Sequence, residues 1–169
     1  MEISQTIFSD MVRALASAAS KGDGAGVAAL FSDDGEYHDV FYGTFKGRPA
    51  IQDMIENHFH RDAEDFLWDM HDPVCLNGLG YARYVFSYRS KLPDCAGRRG
   101  MFEGVAILRY NADGKIEDYK EVAESGVGLS LLGFSAERIA RFISREAEAL
   151  RSRPESSAHI RALPGLTET

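Results

Sequence analysis

The chain has 169 residues, of which 44% are apolar and 27% charged, and its formal net charge is −7. This length suits one domain with a sizeable core, and no apolar run reaches the roughly 18 residues that a membrane span requires. The only dense basic patch is Arg98 and Arg99, so the chain lacks the clustered basic surface that nucleic acids and anionic membranes require.

Other features limit the class of protein and its location. The N-terminal residues lack the basic and apolar segments of a secretory signal, and Cys75 and Cys95 are too few for a disulfide framework. A cytoplasmic protein with free thiols is therefore expected. No GxGxxG, P-loop, HExxH or clustered-cysteine motif occurs, and His58 and His60, two positions apart on a helix, cannot share a face. We expect neither a cofactor nor a metal ion.

The first part of the chain has helical periodicity. Apolar residues recur at helical spacing in QTIFSDMVRALASAASKGD, which stops at Gly22, and GAGVAALF predicts a second short helix ending at Phe31. YHDVF is a short predicted strand, and Gly43 and Gly47 bracket a turn. Pro49 then opens a third helix, PAIQDMIENHFHRD.

The periodicity changes from helical to strand-like near residue 64. Four segments have strand character: DFLWDMHDPV, YARYVFSYRSKL, MFEGVAILRY and KIEDYKEVA. NADG between the last two indicates a hairpin turn. Helices followed by long successive strands predict an α+β fold, in which a strongly bent antiparallel sheet packs on the N-terminal helices.

After Ser125 the chain returns to helical spacing. Ser135 is a candidate N-cap for a further helix, in which Ile139, Ile143 and Leu150 share one face. The final segment, PESSAHIRALPGLTET, has the composition of a tail. We therefore expect one domain over residues 1–153 and a C-terminal tail over residues 154–169.

Three stretches resemble the SnoaL-like branch of the nuclear transport factor 2-like superfamily: KGDGAGVAALFSDDGEYHDV, GTFKGRPAI and NADGKIEDYKEV. The resemblance covers roughly residues 5–124 and implies a cone of curved sheet that helices close around a deep pocket. It does not imply one function, because the superfamily includes cyclases, isomerases, dehydratases, epoxide hydrolases and binding proteins. Function has to be argued from the residues of the pocket.

Asp39 is the first candidate catalytic residue. LFSDDGEYHD aligns without a gap with the ketosteroid isomerases of this superfamily, and the resemblance places Asp39 at their general base. Alternation puts Asp39 on the same side as Tyr37 and Phe41. A carboxylate among aromatic rings is partly desolvated, which raises its pKa and makes it a better base near neutral pH. The structural alternative is that Asp39 only ends a strand and accepts hydrogen bonds from backbone amides.

Glu121, in KIEDYKEVAE, is the second candidate. Alternation places it on the same side as Tyr119, and the limonene epoxide hydrolase branch carries its catalytic acid at this position, which implies that Glu121 points inward. Two facing carboxylates repel, so one should stay protonated as an acid while the other ionises. The alternative is a structural ion pair of Glu121 with Arg83 or Arg109.

Aromatic side chains form the predicted walls of the pocket. Tyr84, Phe86 and Tyr88 share one face of their strand. The complete set of predicted substrate-binding residues is Tyr37, Phe41, Trp68, Tyr84, Phe86, Tyr88 and Tyr119. These walls favour a small hydrophobic or aromatic substrate.

The chain lacks residues that two activities of the superfamily require. The oxyanion tyrosine of the ketosteroid isomerases falls at Leu15 and their protonated acid at Ala106, and losing even one such donor costs roughly 2.7–4 kcal/mol of transition-state stabilisation. Epoxide hydrolysis in the related branch uses an Arg and an Asp two residues apart on the middle strand. If Arg83 is the first of these, the second is Val85.

Of the reactions considered, an elimination requires the fewest catalytic groups in this pocket. A phenolic ring can supply the electrons that expel a benzylic group, so the protein needs a base, an acid and aromatic walls but no separate oxyanion hole. We therefore predict a cofactor-independent lyase, of the dehydration or deformylation type, that acts on a small aromatic or polycyclic molecule. The alternatives are an isomerase or polyketide-cyclase-type enzyme and a noncatalytic ligand-binding module.

Two expectations concern assembly. YARYVFSYRS and MFEGVAILRY are apolar on both faces, which predicts a homodimer or homotrimer formed through the outer face of the sheet. Residues 125–150 begin with SGVGLSLLGFS, whose large apolar side chains should be covered: Leu129, Leu131, Leu132 and Phe134. This segment is expected to act as a lid over the pocket or as an interface element.

Overall fold

The structure, a computed structural model, describes residues 3–162. Its helices and turns are α1 (Gln5–Lys21), α2 (Gly24–Leu30), α3 (Arg48–Asp53), a π-helix (Met54–Phe59), α4 (His60–Asp62), α5 (Ser125–Leu131), α6 (Ala136–Arg151), a 3-10 turn (Pro154–Ser156) and α7 (Ser157–Arg161). Its strands are β1 (Phe31–Asp39), β2 (Gly43–Lys46), β3 (Ala63–Leu76), β4 (Leu79–Ser90), β5 (Arg99–Tyr110) and β6 (Ile116–Ala123). The predicted α+β fold is confirmed.

Local sequence explains where the helices begin and end. The Ser4 side chain accepts a hydrogen bond from the Ile7 amide at the start of α1, and Gly22 ends that helix in the left-handed conformation, with φ of 73°. The predicted N-cap at Ser135 is present, since its side chain accepts from the Arg138 amide. These caps fix the lengths of the helices that flank the sheet.

All six strands belong to one sheet, in the order β2-β1-β6-β5-β4-β3. Neighbouring strands are antiparallel except for β1 and β6, which run parallel. The prediction of an antiparallel sheet is therefore wrong for this pair. The reason is topological: the long excursion between β1 and β6 returns the chain beside β1 in the same direction. As a result, the two strands that carry Asp39 and Glu121 are neighbours.

Strand β3 is bent by two irregularities in its pairing with β4. The register shifts between Glu64 and Leu67 and again between His71 and Val74. Asp65 and Asp72 lie in these interruptions with positive φ, a conformation that Asp tolerates better than most residues. Such bulges increase the local twist, which curves the sheet around the core.

One strand departs from its predicted boundaries. β1 begins at Phe31 rather than in YHDVF, because a register shift between Phe31 and Glu36 interrupts the alternation that identifies a strand. It ends at Asp39, so Phe41 lies in the turn that follows. In the single chain Leu131 is 49% exposed, whereas Leu129, Leu132 and Phe134 are buried or partly buried.

The two C-terminal helices pack differently. α5 lies close against β5, and at Gly128 a Cβ atom would overlap the ring of Phe102. α6 contributes no fully buried side chain, and only Ile139 and Phe142 pack partly against the core. The packed face of α6 coincides only in part with the face expected from the sequence, since Ile139 packs against the core whereas Ile143 and Leu150 are 41% and 52% exposed.

The segment after α6 continues as short helical turns as far as residue 162. The predicted tail lies partly outside the described residues, and the domain boundary at residue 153 stays a prediction. Within residues 3–162, no helix combines the length and apolar character that crossing a membrane requires.

Candidate functional site

A small cavity of about 30 Å³ lies inside the curved sheet. The side chains of Asp39 and Glu121 both line it, together with aromatic residues from β1, β3, β4 and the π-helix. This space, named the inner cavity, holds one or two water molecules at most. It therefore brings together the two acids that the sequence analysis selected.

Asp39 lies in the cavity, as expected of a general base, and it also accepts backbone hydrogen bonds at the end of a strand. It is the last residue of β1, and its Oδ1 accepts hydrogen bonds from the backbone amides of Phe41 and Tyr42, each at 2.8 Å. No described residue donates a hydrogen bond to Oδ2. Burial raises the pKa of Asp39 above its ordinary value, while the two amide bonds and the nearby His58 act in the opposite direction.

Glu121 has a different environment. Its Oε2 forms a short hydrogen bond with the hydroxyl of Tyr84. Burial, followed by the negative charge of Asp39, raises the pKa of Glu121 to about 8, and the bond from Tyr84 only partly offsets this. The alternative ion pair is absent from the described residues: Arg83 lies on the outer face, paired with Asp72 and Glu103.

Small residues on the intervening strand make the contact between Tyr84 and Glu121 possible. Gly104 on β5 is paired with Tyr84 on β4, and Ala106 is paired with Glu121 on β6. A Cβ atom at Gly104 would lie 2.5 Å from the Tyr84 hydroxyl oxygen. A larger side chain at either position would separate the tyrosine from the acid.

The two acids have different surroundings in the inner cavity. Two backbone amides stabilise the charged form of Asp39, whereas Glu121 receives only one hydroxyl bond and lies near another carboxylate. The charge of Asp39 adds to the effect of burial in raising the pKa of Glu121, which favours the protonated form of Glu121. The cavity thus holds two carboxyl groups with different hydrogen-bond partners.

Most of the predicted aromatic walls do surround the inner cavity. Those that line it are Tyr37, Phe41, Trp68, Tyr84 and Phe86. Tyr119 does not line it, because its ring lies behind Tyr37 with 4.4 Å between the centroids. Sequence alternation correctly predicted the side of β6 on which Tyr119 lies, but it did not predict that the ring lies behind Tyr37.

Trp68 offers a polar group as well as a wall. Its Nε1 is buried and has no hydrogen-bond partner among the described residues. An indole N–H without a partner is costly to bury, and it remains available to an oxygen atom of a ligand. From the sequence, Trp68 was predicted only as an apolar wall, because no sequence pattern reveals whether an indole N–H has a hydrogen-bond partner.

A second and larger space, named the outer cavity, lies next to the first and has a volume of about 900 Å³. The side chains of Phe41, Phe59 and Phe86 line both spaces, and Tyr88 lines only the outer one. Leu129 and Leu132 from α5 and its end, Phe134, and Phe142 from α6 form further walls. The C-terminal helices therefore complete a binding space in front of the acid pair.

Phe59 and Phe142 line the outer cavity but were not predicted from the sequence. Phe59 ends the π-helix, whose wider turn changes the direction of side chains relative to an ordinary helix. Phe142 lies on a helix whose apolar residues do not mark the packed face. For neither residue does simple helical periodicity indicate the cavity.

A polar cluster lies on the other side of β1 from the inner cavity. His38 Nε2 is 2.8 Å from Asp118 Oδ1 and 3.5 Å from Glu36 Oε2. The three side chains are close enough to surround a metal ion. However, Lys46 bonds to Glu36 and Lys120 pairs with Asp118, so both carboxylates already have cationic partners. The arrangement is accounted for as an ion-pair network.

Residues 12–119 match the family model described as the SnoaL-like domain. The chain belongs to this family. The SnoaL-like match ends before Glu121, α5 and α6, so these parts of the site lie beyond it. No curated protein matches the chain.

Solved structures share the SnoaL-like fold at low sequence identity. A hypothetical protein from Catenulispora acidiphila with a ketosteroid isomerase-like fold, in complex with trimethylamine, aligns with a TM-score of 0.66 and 19% identity over 75% of this chain and 95% of that one. An LEH-like epoxide hydrolase from M. tuberculosis gives 0.62 and 16% over 75% and 90%. TsrD from Streptomyces laurentii gives 0.66 and 18% over 78% and 98%. At these identities the likeness concerns the fold alone.

The raised pKa of Glu121 predicts how stability depends on pH. Between its ordinary value of 4.5 and about 8, the folded protein keeps a proton on Glu121 that the unfolded chain loses. The free energy of unfolding should therefore decrease as pH rises through this range, by up to about 1.4 kcal/mol per pH unit from this group. In Glu121→Gln this contribution disappears.

Thermal melts of the two proteins from pH 5 to pH 9 measure this difference. The melting temperature of the wild type should decline relative to that of Glu121→Gln as pH rises. Parallel curves would show that Glu121 titrates near its ordinary pKa.

Proposed function

We propose that this SnoaL-like protein is a cofactor-independent lyase for a small aromatic or polycyclic molecule, with Asp39 as the base and Glu121 as the acid. One observation carries the proposal: both carboxyl groups line one aromatic-walled cavity, where burial raises the pKa of each and the charge of Asp39 raises that of Glu121 further. An elimination needs a base and an acid of this kind at the same substrate.

The proposed reaction is a dehydration or a related elimination. Asp39 Oδ2 takes a proton from the substrate, and the released electron pair forms the new double bond as the bond to the leaving oxygen breaks. Glu121 gives its proton to that oxygen, so water leaves when the leaving group is a hydroxyl. Proton transfer from Asp39 to Glu121 then restores the starting state. In this proposal Trp68 Nε1–H, which has no hydrogen-bond partner among the described residues, donates to an oxygen atom that gains negative charge during this step.

Different parts of the substrate occupy the two cavities. A ring system does not fit into about 30 Å³ but does fit into about 900 Å³. The aromatic body therefore occupies the outer cavity, and only the reacting group passes Phe41, Phe59 and Phe86 to the acid pair. This arrangement keeps bulk water away from the proton transfers.

Activity screening tests the proposal. Purified protein is incubated with phenolic dimers, hydroxylated polyketides and steroid enones, and products are followed by mass spectrometry for loss of water or formaldehyde. Elimination from a phenolic or polyketide substrate, with turnover by Asp39→Asn lowered about 10²–10⁴-fold, is the expected result. Binding of these compounds without turnover would instead establish a noncatalytic ligand-binding module, which the small volume of the inner cavity favours.

An isomerase or cyclase is the second candidate, and the contact between Tyr84 and Glu121 favours it. The Tyr84 hydroxyl donates to Glu121 Oε2, and a protonated Glu121, which lies directly across from Ala106, keeps its own O–H as a donor in the inner cavity. This donor can stabilise an enolate oxygen while Asp39 moves a proton. Turnover of the steroid enones without loss of atoms would select this reaction over elimination.

We further propose that the protein forms a homodimer or homotrimer through the outer face of the sheet. Exposed apolar side chains cluster there, including Leu67, Met101, Val105 and Val122. A folded monomer seldom leaves so much apolar sheet surface in water. The protein itself should sediment as an oligomer at micromolar concentration, and Val105→Glu should dissociate it.

Val127→Glu is the matched control, since Val127 is also exposed but lies on α5. That variant should keep the oligomer. A monomeric wild-type protein would refute the proposed interface.

A further inference from the structure

The outer cavity has a basic edge that the acid–base chemistry does not use. Arg138, Arg141 and Arg145 follow one another on α6 at spacings of three and four residues, so they share one face, and all three line the cavity. The rest of the lining is mainly aromatic and aliphatic. This concentration of positive charge is unusual in a chain with a net charge of −7.

The acidic residues of the outer cavity already have partners. Asp62 accepts hydrogen bonds from Arg61 Nε at 2.7 Å and from Arg61 Nη2 at 2.6 Å. Glu137 accepts one from Arg141 Nη1 at 2.6 Å. Neither carboxylate is therefore available to neutralise another cation in the cavity.

The other two arginines differ from each other. Arg138 lies over the ring of Phe134 at 3.7 Å and also pairs with Asp94. Arg145 lies 5.2 Å from the ring centroid of Phe142, and no carboxylate among the described residues pairs with it. One positive charge thus remains without an anionic partner beside an apolar cavity.

A guanidinium group that faces an aromatic ring keeps the N–H groups of its edge free. These donors are arranged as a planar fork, which matches the two oxygens of a carboxylate. Because Phe142 also lines the cavity, a ligand that occupies the space between the rings can reach the Arg145 fork with a terminal anionic group. Arg145 is exposed, so water solvates its guanidinium group when no anion is bound.

We infer that the outer cavity binds an aromatic monoanion, with its rings against Phe41, Phe59 and Phe86 and its anionic group on Arg145. This inference rests on the proposed function in one respect, because it names the substrate class of the same site. The reacting group then lies at the end of the molecule opposite the charge, next to the inner cavity. Arg145 is a binding residue that sets the orientation of the substrate.

Calorimetric titration with two matched probes tests the inference. Biphenyl-4-carboxylate and biphenyl-4-methanol have the same ring system and differ in charge at one end. The wild-type protein should bind the carboxylate about two- to fivefold more tightly, the expected effect of one ion pair with an exposed arginine. Arg145→Gln should bind both probes with the affinity that the wild type has for the alcohol.

Arg151→Gln is the matched control on the same helix. Arg151 does not line the cavity and has only a loose ion pair with Glu148 at 3.8 Å, so its removal should leave the preference unchanged. Biphenyl-4-sulfonate then shows whether the site recognises carboxylates only or monoanions in general. Equal wild-type affinity for acid and alcohol, a preference that survives in Arg145→Gln, or no binding of any probe would overturn the inference.

The outcome is separable from that of the proposed lyase function. Binding does not require turnover, so the same titrations can be repeated with Asp39→Asn. A preference for the anion in both proteins, without any elimination by the wild type, would reject the lyase and retain the anion site. Elimination from neutral substrates only, with no preference for the anion, would do the reverse.

Discussion

Replacing Asp39 by Asn should lower turnover of an identified substrate by about 10²–10⁴, the range that a positioned general base contributes. The asparagine side chain is nearly isosteric but cannot take a proton from the substrate. Its amide oxygen can still accept the hydrogen bonds that Asp39 Oδ1 accepts from Phe41 and Tyr42. The turn after β1 should therefore survive, and the melting temperature should change little.

Two further variants separate chemistry from structure at this position. Asp39→Ala removes the acceptor as well as the base, so it should lose melting temperature in addition to activity. Asp34→Asn changes an exposed acid on the same strand and should behave like the wild type. Steady-state kinetics and thermal melts of the three variants give the comparison. Full activity in Asp39→Asn would mean that Asp39 only caps the strand.

Glu121→Gln should also lower turnover by about 10²–10⁴, because the amide cannot give a proton to the leaving oxygen. The pH profile supplies the sharper test. Activity of the wild type requires a protonated Glu121, so it should fall as pH rises through about 8. The residual activity of the variant should lack this decline.

Glu117→Gln provides the control, since Glu117 is exposed on the same strand. It should keep both the rate and the pH profile of the wild type. If Glu121→Gln keeps full activity, the short bond between Tyr84 and Glu121 is structural, and the acid has to be sought elsewhere.

The sequence was sufficient to predict the elements that have clean periodicity. The long strands and the hairpin at NADG follow from alternation and turn chemistry, and the resemblance added the positions of Asp39 and Glu121. β1 was only partly recognised, because its register shift hides the alternation. The parallel pairing of β1 and β6 is a property of the whole topology, which local patterns do not contain.

The contacts within the site were harder to predict for a physical reason. The bond between Tyr84 and Glu121 spans three strands and depends on small residues at Gly104 and Ala106, so it follows only from the register. Whether Arg145 lines the outer cavity depends on which face of α6 turns inward. In the sequence this arginine resembles any solvated charge on a helix.

The lack of buried side chains on α6 has a consequence for the dynamics of the site. The acid pair lies on β1 and β6, whose backbone hydrogen bonds belong to the sheet, whereas α6 adds walls to the outer cavity with only partly buried contacts. Amide hydrogens of α6 should exchange with deuterium through local opening, while those of the central strands should require nearly global unfolding. A ligand that contacts both Arg145 and the aromatic rings of the outer cavity would slow hydrogen exchange in α6. The helix that carries Arg145 can thus open and close while the strands that carry Asp39 and Glu121 stay fixed.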